Sequence, residues 1–97
     1  MLINVYVNNN GTFTVNAFDN DGYLAGALSK ANDGVDAKAV VEFIDELRNK
    51  EPENVQARVL MGGATEDIKL NLLSSKADLH MSLVLSAQTV QNVLVGV

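Results

Sequence analysis

Cysteine is absent from this 97-residue sequence, which excludes disulfide bonds and thiolate zinc sites. Aromatic residues are also scarce, at 5% of the chain, whereas apolar residues make up 47%. The core must therefore be built from aliphatic side chains. Charged residues are only 20% of the chain and apolar residues occur throughout it, so the composition is that of a folded protein.

Positive charge is the second deficit. Seven lysines and arginines stand against twelve aspartates and glutamates, which gives a formal net charge of −5. Because phosphate backbones require a basic surface, this balance disfavours direct nucleic-acid binding and permits a protein partner with a basic surface. Residues 1–7 carry no basic leader, and no stretch approaches the roughly 20 apolar residues of a membrane span. We therefore expect a cytoplasmic protein that does not contact membranes.

The first 28 residues predict an antiparallel β-meander. Apolar and polar residues alternate over 2–7 and again over 12–18, and the Asn-Gly pair at 10–11 indicates a hairpin turn between them. A second cluster of turn residues, 19–22, separates this hairpin from a third strand over 23–28.

Residues 36–51 show the clearest helical pattern. Asp36 can cap the first turn by accepting hydrogen bonds from free N–H groups. Pro52 prevents the helix from continuing past Glu51. The apolar stripe at positions i, i+3, i+4 and i+7 consists of Val40, Phe43, Ile44 and Leu47.

The second half is expected to add three strands and a terminal helix. Alternation predicts strands over 55–61 and 79–85. Residues 65–73 also alternate, and a strand is favoured there over a short helix because Leu70 falls outside the helical stripe. Ser86 can cap a final helix, although the valines after it would also suit a last strand.

These elements predict an α+β fold: an antiparallel sheet of five or six strands with one or two helices packed on one face. The expected order is βββα-βββα within a single domain, residues 1–97. A helix rather than a strand at 65–75 would change the order to βββα-βαβα.

Three local motifs approach a reactive or ligand-binding pattern, and each lacks a part. His80 is the sole histidine, and its neighbours on a strand would lie beside it without converging on a substrate. The run Asp19-Asn20-Asp21-Gly22 begins like a calcium loop, but Lys30 stands where the distal glutamate is required. Gly62-Gly63 is not followed by the lysine of a P-loop. We therefore predict no catalytic residue, metal or cofactor, and a protein that is not an enzyme.

The clearest functional feature is an acidic ridge along the outer side of the predicted helix. Such a ridge is usually a solvated helix face, but it also has the charge to occupy a basic groove in place of a phosphate chain. We therefore predict a small acidic binding protein that acts by protein–protein interaction, as a phage-type accessory inhibitor blocks the nucleic-acid-binding surface of its target. The predicted partner-binding residues are Glu42, Asp45, Glu46, Glu51 and Glu53.

Two other functions are compatible with the sequence. Sheet edges and the aliphatic segment 79–97 could join copies of the chain into a homo-oligomer, which would make it a structural or assembly subunit. A small enzyme or ligand-binding domain would instead need a pocket at His80 or at Gly62-Gly63. Oligomeric state tests the first alternative, and the position of any pocket tests the second.

Overall fold

The computed structural model describes residues 1–29, 33–50, 55–61, 68–70 and 74–95. Within these ranges the chain has an α+β fold with two helices and a mixed sheet. Four strands have five or six residues each, and the last has two. In chain order the elements are β1 (Leu2–Val7), β2 (Phe13–Phe18), β3 (Leu24–Leu28), α1 (Ala37–Lys50), β4 (Gln56–Met61), β5 (Ile68–Lys69) and α2 (Lys76–Val95).

The strands lie in the order β3-β2-β1-β4-β5. The central strand β1 pairs antiparallel with β2 but parallel with β4, so that Val5 lies between Val15 and Val59. The prediction of an antiparallel sheet is therefore wrong at the β1–β4 pairing. The reason is the path of the chain, because α1 carries it from the β3 edge back over the sheet to the far side of β1. A crossover of this kind delivers a parallel strand.

The two turns of the meander share one backbone geometry. The Gly11 N–H donates to the Asn8 carbonyl at 3.1 Å, and the Gly22 N–H donates to the Asp19 carbonyl at the same distance. The two glycines have φ values of 82° and 85°, a left-handed conformation that glycine adopts without steric cost. A turn that ends in such a residue is a common three-residue hairpin loop. The predicted meander is confirmed, with its third strand beginning at Leu24.

Helix α1 is confirmed together with its cap. The Asp36 Oδ1 accepts a hydrogen bond from the Ala39 N–H at 2.8 Å, which satisfies one of the free donors of the first turn. Val40 and Ile44 of the predicted stripe are fully buried, and Phe43 and Leu47 are partly buried at its margins. Pro52 lies outside the described residues.

Both helices pack on one face of the sheet, and alternation along each strand decides which side chains they cover. The opposite face, which we call the open face, carries residues such as Asn4, Tyr6, Asn16, Phe18 and Arg58. The covered strand positions are Ile3, Val5, Val7, Phe13, Val15, Ala17, Ala57, Val59 and Met61, all buried.

The largest error of the sequence-based prediction concerns residues 79–85. They were predicted to form a strand, but they lie inside helix α2. Leu79 and Leu83 are 1% and 0% exposed, whereas Met81 and Leu85 are 62% and 56% exposed. All four side chains would share one face of a strand. On a helix, residues four apart lie together and residues two apart point in nearly opposite directions, which is the observed pattern.

The helix begins earlier than Ser86, the residue predicted to cap it. Ser75 is the cap: its Oγ accepts a hydrogen bond from the Asp78 N–H at 3.2 Å. Ser86 is buried in the middle of the helix, where its hydroxyl donates to the Ser82 carbonyl at 2.9 Å. The prediction of a terminal helix is confirmed for residues 86–95.

The described chain therefore has the order βββα-ββα, which differs from both predicted orders by the loss of one element. Within the ambiguous segment 65–75, Ile68 and Lys69 pair with β4, so the preference for a strand is confirmed at those two residues. Residues 65–67 and 71–73 lie outside the described residues. Of the helices in the described ranges, none combines the length and apolarity needed to cross a membrane.

Candidate functional site

The acidic ridge lies on α1, and its central carboxylate is the most strongly engaged. Asp45 forms an ion pair with Arg48 at 2.7 Å, and both side chains are mostly shielded, at 19% and 18% exposure. The Arg48 Nη1 also donates to the Ser74 carbonyl at 2.8 Å. The Arg48 hydrogen bond is the main reason that the pKa of Asp45 is lowered. This pair therefore links α1 to the segment that leads into α2.

A basic side chain from α2 completes this cluster. Lys76 lies 3.4 Å from Asp45 Oδ2 and 3.5 Å from Glu42 Oε2. Attraction to Asp45, and secondarily to Glu42, raises the pKa of the Lys76 ammonium group. Sequence reasoning missed Lys76 because only the packing of α2 against α1 brings it to the ridge.

The ridge is consequently balanced in charge over its described part. Lys50 pairs with Glu46 at 3.2 Å, so the three carboxylates Glu42, Asp45 and Glu46 are matched by Arg48, Lys50 and Lys76. Glu42 and Glu46 still project into solvent, with side chains 59% and 67% exposed. The other predicted partner-binding residues, Glu51 and Glu53, lie outside the described residues.

His80 lies on the exposed side of α2. Asp78 and Ser82, its candidate partners, are each two residues away, and side chains two apart on a helix diverge by about 200°. The expectation that these groups do not converge is unchanged, but a helix rather than a strand separates them.

The side chain of Asp19 in the Asp19–Gly22 motif forms hydrogen bonds within the turn itself. Asp19 Oδ1 accepts hydrogen bonds from the backbone N–H groups of Asp21 and Tyr23, at 3.0 and 2.9 Å. Asn20 Oδ1 accepts from the N-terminal ammonium of Met1 at 2.9 Å. Over the ranges that the structure describes, no three acidic or histidine side chains are grouped to hold a metal ion. Gly62-Gly63 lies outside those ranges.

A cavity of about 500 Å³ lies between β1, β4 and β5, and this volume is in the range of small-ligand sites. The Arg58 Nε in its wall donates to Asn4 Oδ1 at 2.8 Å, which ties β4 to β1 across the open face. His80 is not among the described lining residues, and Gly62-Gly63, the other position that the enzyme alternative names, lies outside the described residues. Its principal lining residues are Leu2, Val55, Gln56, Arg58, Lys69 and Leu70.

The two edges of the sheet are protected to very different degrees. Within the described residues, strand β5 spans Ile68–Lys69, and both a short length and a lysine such as Lys69 discourage pairing with another chain. Strand β3 has five residues and no charge or proline, and its outer side has no partner strand in the described ranges. Leu24 is 61% exposed at its start, next to Tyr23 at 73%.

No protein-family model, curated protein or solved structure matches this chain.

Proposed function

We propose that this chain is a non-enzymatic assembly subunit that forms a homo-oligomer through the β3 side of its sheet. The observation that supports this function is an apolar row that crosses three strands on the open face. Leu24 pairs with Phe18, and Phe18 pairs with Leu2. Tyr23, the residue before Leu24 in the chain, is 73% exposed. Exposed apolar groups next to a free edge favour association with another chain.

The C-terminal segment supports assembly less strongly than its composition suggests. Leu79, Leu83 and Val90 are buried in the core of the same chain. Met81 and Leu85 are the exposed large apolar side chains on the described part of α2, one turn apart. Two side chains form a small apolar site, whereas the β3 side offers both apolar surface and backbone hydrogen-bonding groups.

Sedimentation velocity over a wide concentration range tests this function. We expect reversible association with a dissociation constant between about 1 µM and 1 mM, as in weak complexes. Leu24→Gln and Leu85→Gln form a matched pair, since these leucines are 61% and 56% exposed. Leu24→Gln should weaken association and Leu85→Gln should leave it unchanged. A protein that stays monomeric up to about 1 mM would refute the proposal. If Leu85→Gln alone weakened association, the contact between copies would lie on α2 and not on β3.

A second candidate function is inhibition by the acidic ridge, in which the chain covers a basic, nucleic-acid-binding surface of a target protein. Its support is the exposure of Glu42 and Glu46, which lie four residues apart on α1 with 59% and 67% of their side chains in solvent. Their ion pairs are surface contacts of modest strength, typically below about 1 kcal/mol, so a stronger basic partner could replace them.

An arginine-rich peptide can serve as the basic probe, with binding measured by fluorescence anisotropy at two salt concentrations. The variant Glu42→Lys/Glu46→Lys should abolish the salt-sensitive binding. The control Asp21→Lys/Asp33→Lys makes the same change in net charge at two exposed positions that are not part of α1. Equal losses in both variants would show a non-specific charge effect and would contradict a ridge-specific function.

A further inference from the structure

Strand β3 reads the same in both directions: Leu24-Ala25-Gly26-Ala27-Leu28. A two-fold axis through the central residue of such a strand pairs it antiparallel with a second copy of itself. In this register Ala25 lies opposite the partner copy's Ala27. Leu24 lies opposite the partner copy's Leu28 along the backbone, but the bulge at the start of β3 places Leu24 on the open face while Leu28 packs against the core. Contacts of this kind are isologous, the commonest arrangement in soluble homodimers.

We propose that two copies of this chain pair through their β3 edges, antiparallel about a two-fold axis at Gly26. The two five-stranded sheets become one continuous sheet. This inference rests on the proposed assembly function and specifies its partner, symmetry and register. A second copy is the proposed partner because the strand sequence is symmetric about Gly26. The strand also contains no ionisable side chain, so two identical strands do not repel each other at this edge.

The absence of charge in β3 matters because each copy carries a formal charge of −5. Like charges directly opposite each other on paired strands are destabilising. Charges outside the strand are screened over a Debye length of about 8 Å at physiological salt. An uncharged strand therefore brings the two backbones together with the least electrostatic opposition.

The covered side of β3 is filled at the proposed axis. A Cβ built on Gly26 would lie 3.4 Å from Phe43 Cζ, so the Phe43 ring covers this glycine from α1. Phe43 is only partly buried in one copy. With the axis at Gly26, the Phe43 rings of both copies lie near it and can bury their remaining surface against each other.

The strength of the contact follows from its size. The paired strands have five residues each, and a bulge opposite the Ala17–Phe18 step twists the start of β3. An interface built on so short an edge falls below the roughly 1,200 Å² of stable complexes. We therefore expect a reversible dimer with a dissociation constant between about 1 µM and 1 mM.

Two double variants test the register directly, because Ala25 and Ala27 are both exposed in the single chain. Ala25→Lys/Ala27→Lys places lysine opposite lysine twice across the axis. Ala25→Glu/Ala27→Lys places glutamate opposite lysine twice. Sedimentation velocity gives the dimer fraction, and far-UV circular dichroism confirms that each variant is folded. We expect at least about a tenfold loss of dimer affinity for the first variant and retention for the second.

The possible results distinguish the two-fold pairing of β3 strands from the more general proposal that the chain forms a homo-oligomer. Dimers of the wild type and of the Glu/Lys variant, with monomers of the Lys/Lys variant, would support the two-fold at Gly26. Loss of dimer in both variants would overturn that register but leave assembly through β3 standing. Dimers in all three would overturn the β3 edge as the contact and leave a homo-oligomer formed elsewhere. A monomeric wild type would overturn the proposed function as well.

Discussion

Replacing Leu83 by alanine, with Leu85→Ala as its control, tests how the C-terminal half is built. Leu83 is 0% exposed, and truncation of a buried leucine costs about 2–5 kcal/mol. Leu85 is 56% exposed, and surface truncations usually stay within about 0.5 kcal/mol. Domains of this size are commonly stable by only about 5–15 kcal/mol, so the first change removes a large share of the stability.

Urea unfolding followed by far-UV circular dichroism measures this difference, at a protein concentration low enough to keep the chain monomeric. With a slope of about 1–3 kcal/mol per molar urea, we expect Leu83→Ala to lower the midpoint by about 1 M or more. Should that variant fail to fold, Leu83→Met should fold with a loss under about 1.5 kcal/mol. Equal losses at Leu83 and Leu85 would refute the helical packing, because a strand would place both side chains on the same face.

Three further perturbations follow from local geometry. Ser75→Ala should cost about 1 kcal/mol in urea unfolding by removing the α2 cap, whereas Ser74→Ala keeps its carbonyl contact and should cost less. Gly34→Ala should destabilise more than Gly22→Ala in the same assay: both have positive φ, but a Cβ on Gly34 would also collide with neighbouring side chains. Because the pKa of Asp45 is lowered in the folded protein, the ionised carboxylate stabilises the fold at pH values above its ordinary pKa near 4, and this stabilisation is lost as the pH falls below that value. The variant Asp45→Asn lacks this contribution, so its free energy of unfolding should fall less steeply as the solution is acidified.

The elements predicted correctly are those whose signals are local. Asparagine and glycine at 10–11 have the conformational freedom that the first turn requires, and Gly11 is in the left-handed conformation. Asp36 marks the start of α1 because a carboxylate at that position satisfies a free N–H group two or three residues on. Neither feature depends on what the segment packs against, so the sequence alone suffices.

The first half of α2 was predicted wrongly as a strand over 79–85, because a short run of alternating leucines fits two structures. Leu79, Met81, Leu83 and Leu85 alternate as a strand does, yet Leu79 and Leu83 also fit one helical face. A stronger signal was present in the residues before them: Ser75 and Asp78 have the spacing of a capped helix start. Leucine and methionine are also better helix formers than the β-branched residues that strands favour.

The matching of the ridge's carboxylates by basic side chains could not be predicted from the sequence, for a different reason. Arg48 and Lys50 can be placed beside their carboxylates from helical spacing alone. Lys76 reaches Glu42 and Asp45 only because α2 packs against α1, and that packing depends on the whole fold. Parallel pairing of β1 with β4 is likewise a property of chain path rather than of either strand.

Charge concentrated in sequence is therefore a weak guide to charge presented on a surface. In the described part of the ridge, Glu42 and Asp45 contact Lys76 of α2, and Glu46 contacts Lys50 within α1. An external basic partner must compete with those internal cations. Strand β3 has no such competitor, because its outer backbone groups have no partner strand in the described ranges and its side chains carry no charge. A partner that supplies only backbone and apolar contact, such as a second β3, meets the requirements of that edge without displacing anything the fold already uses.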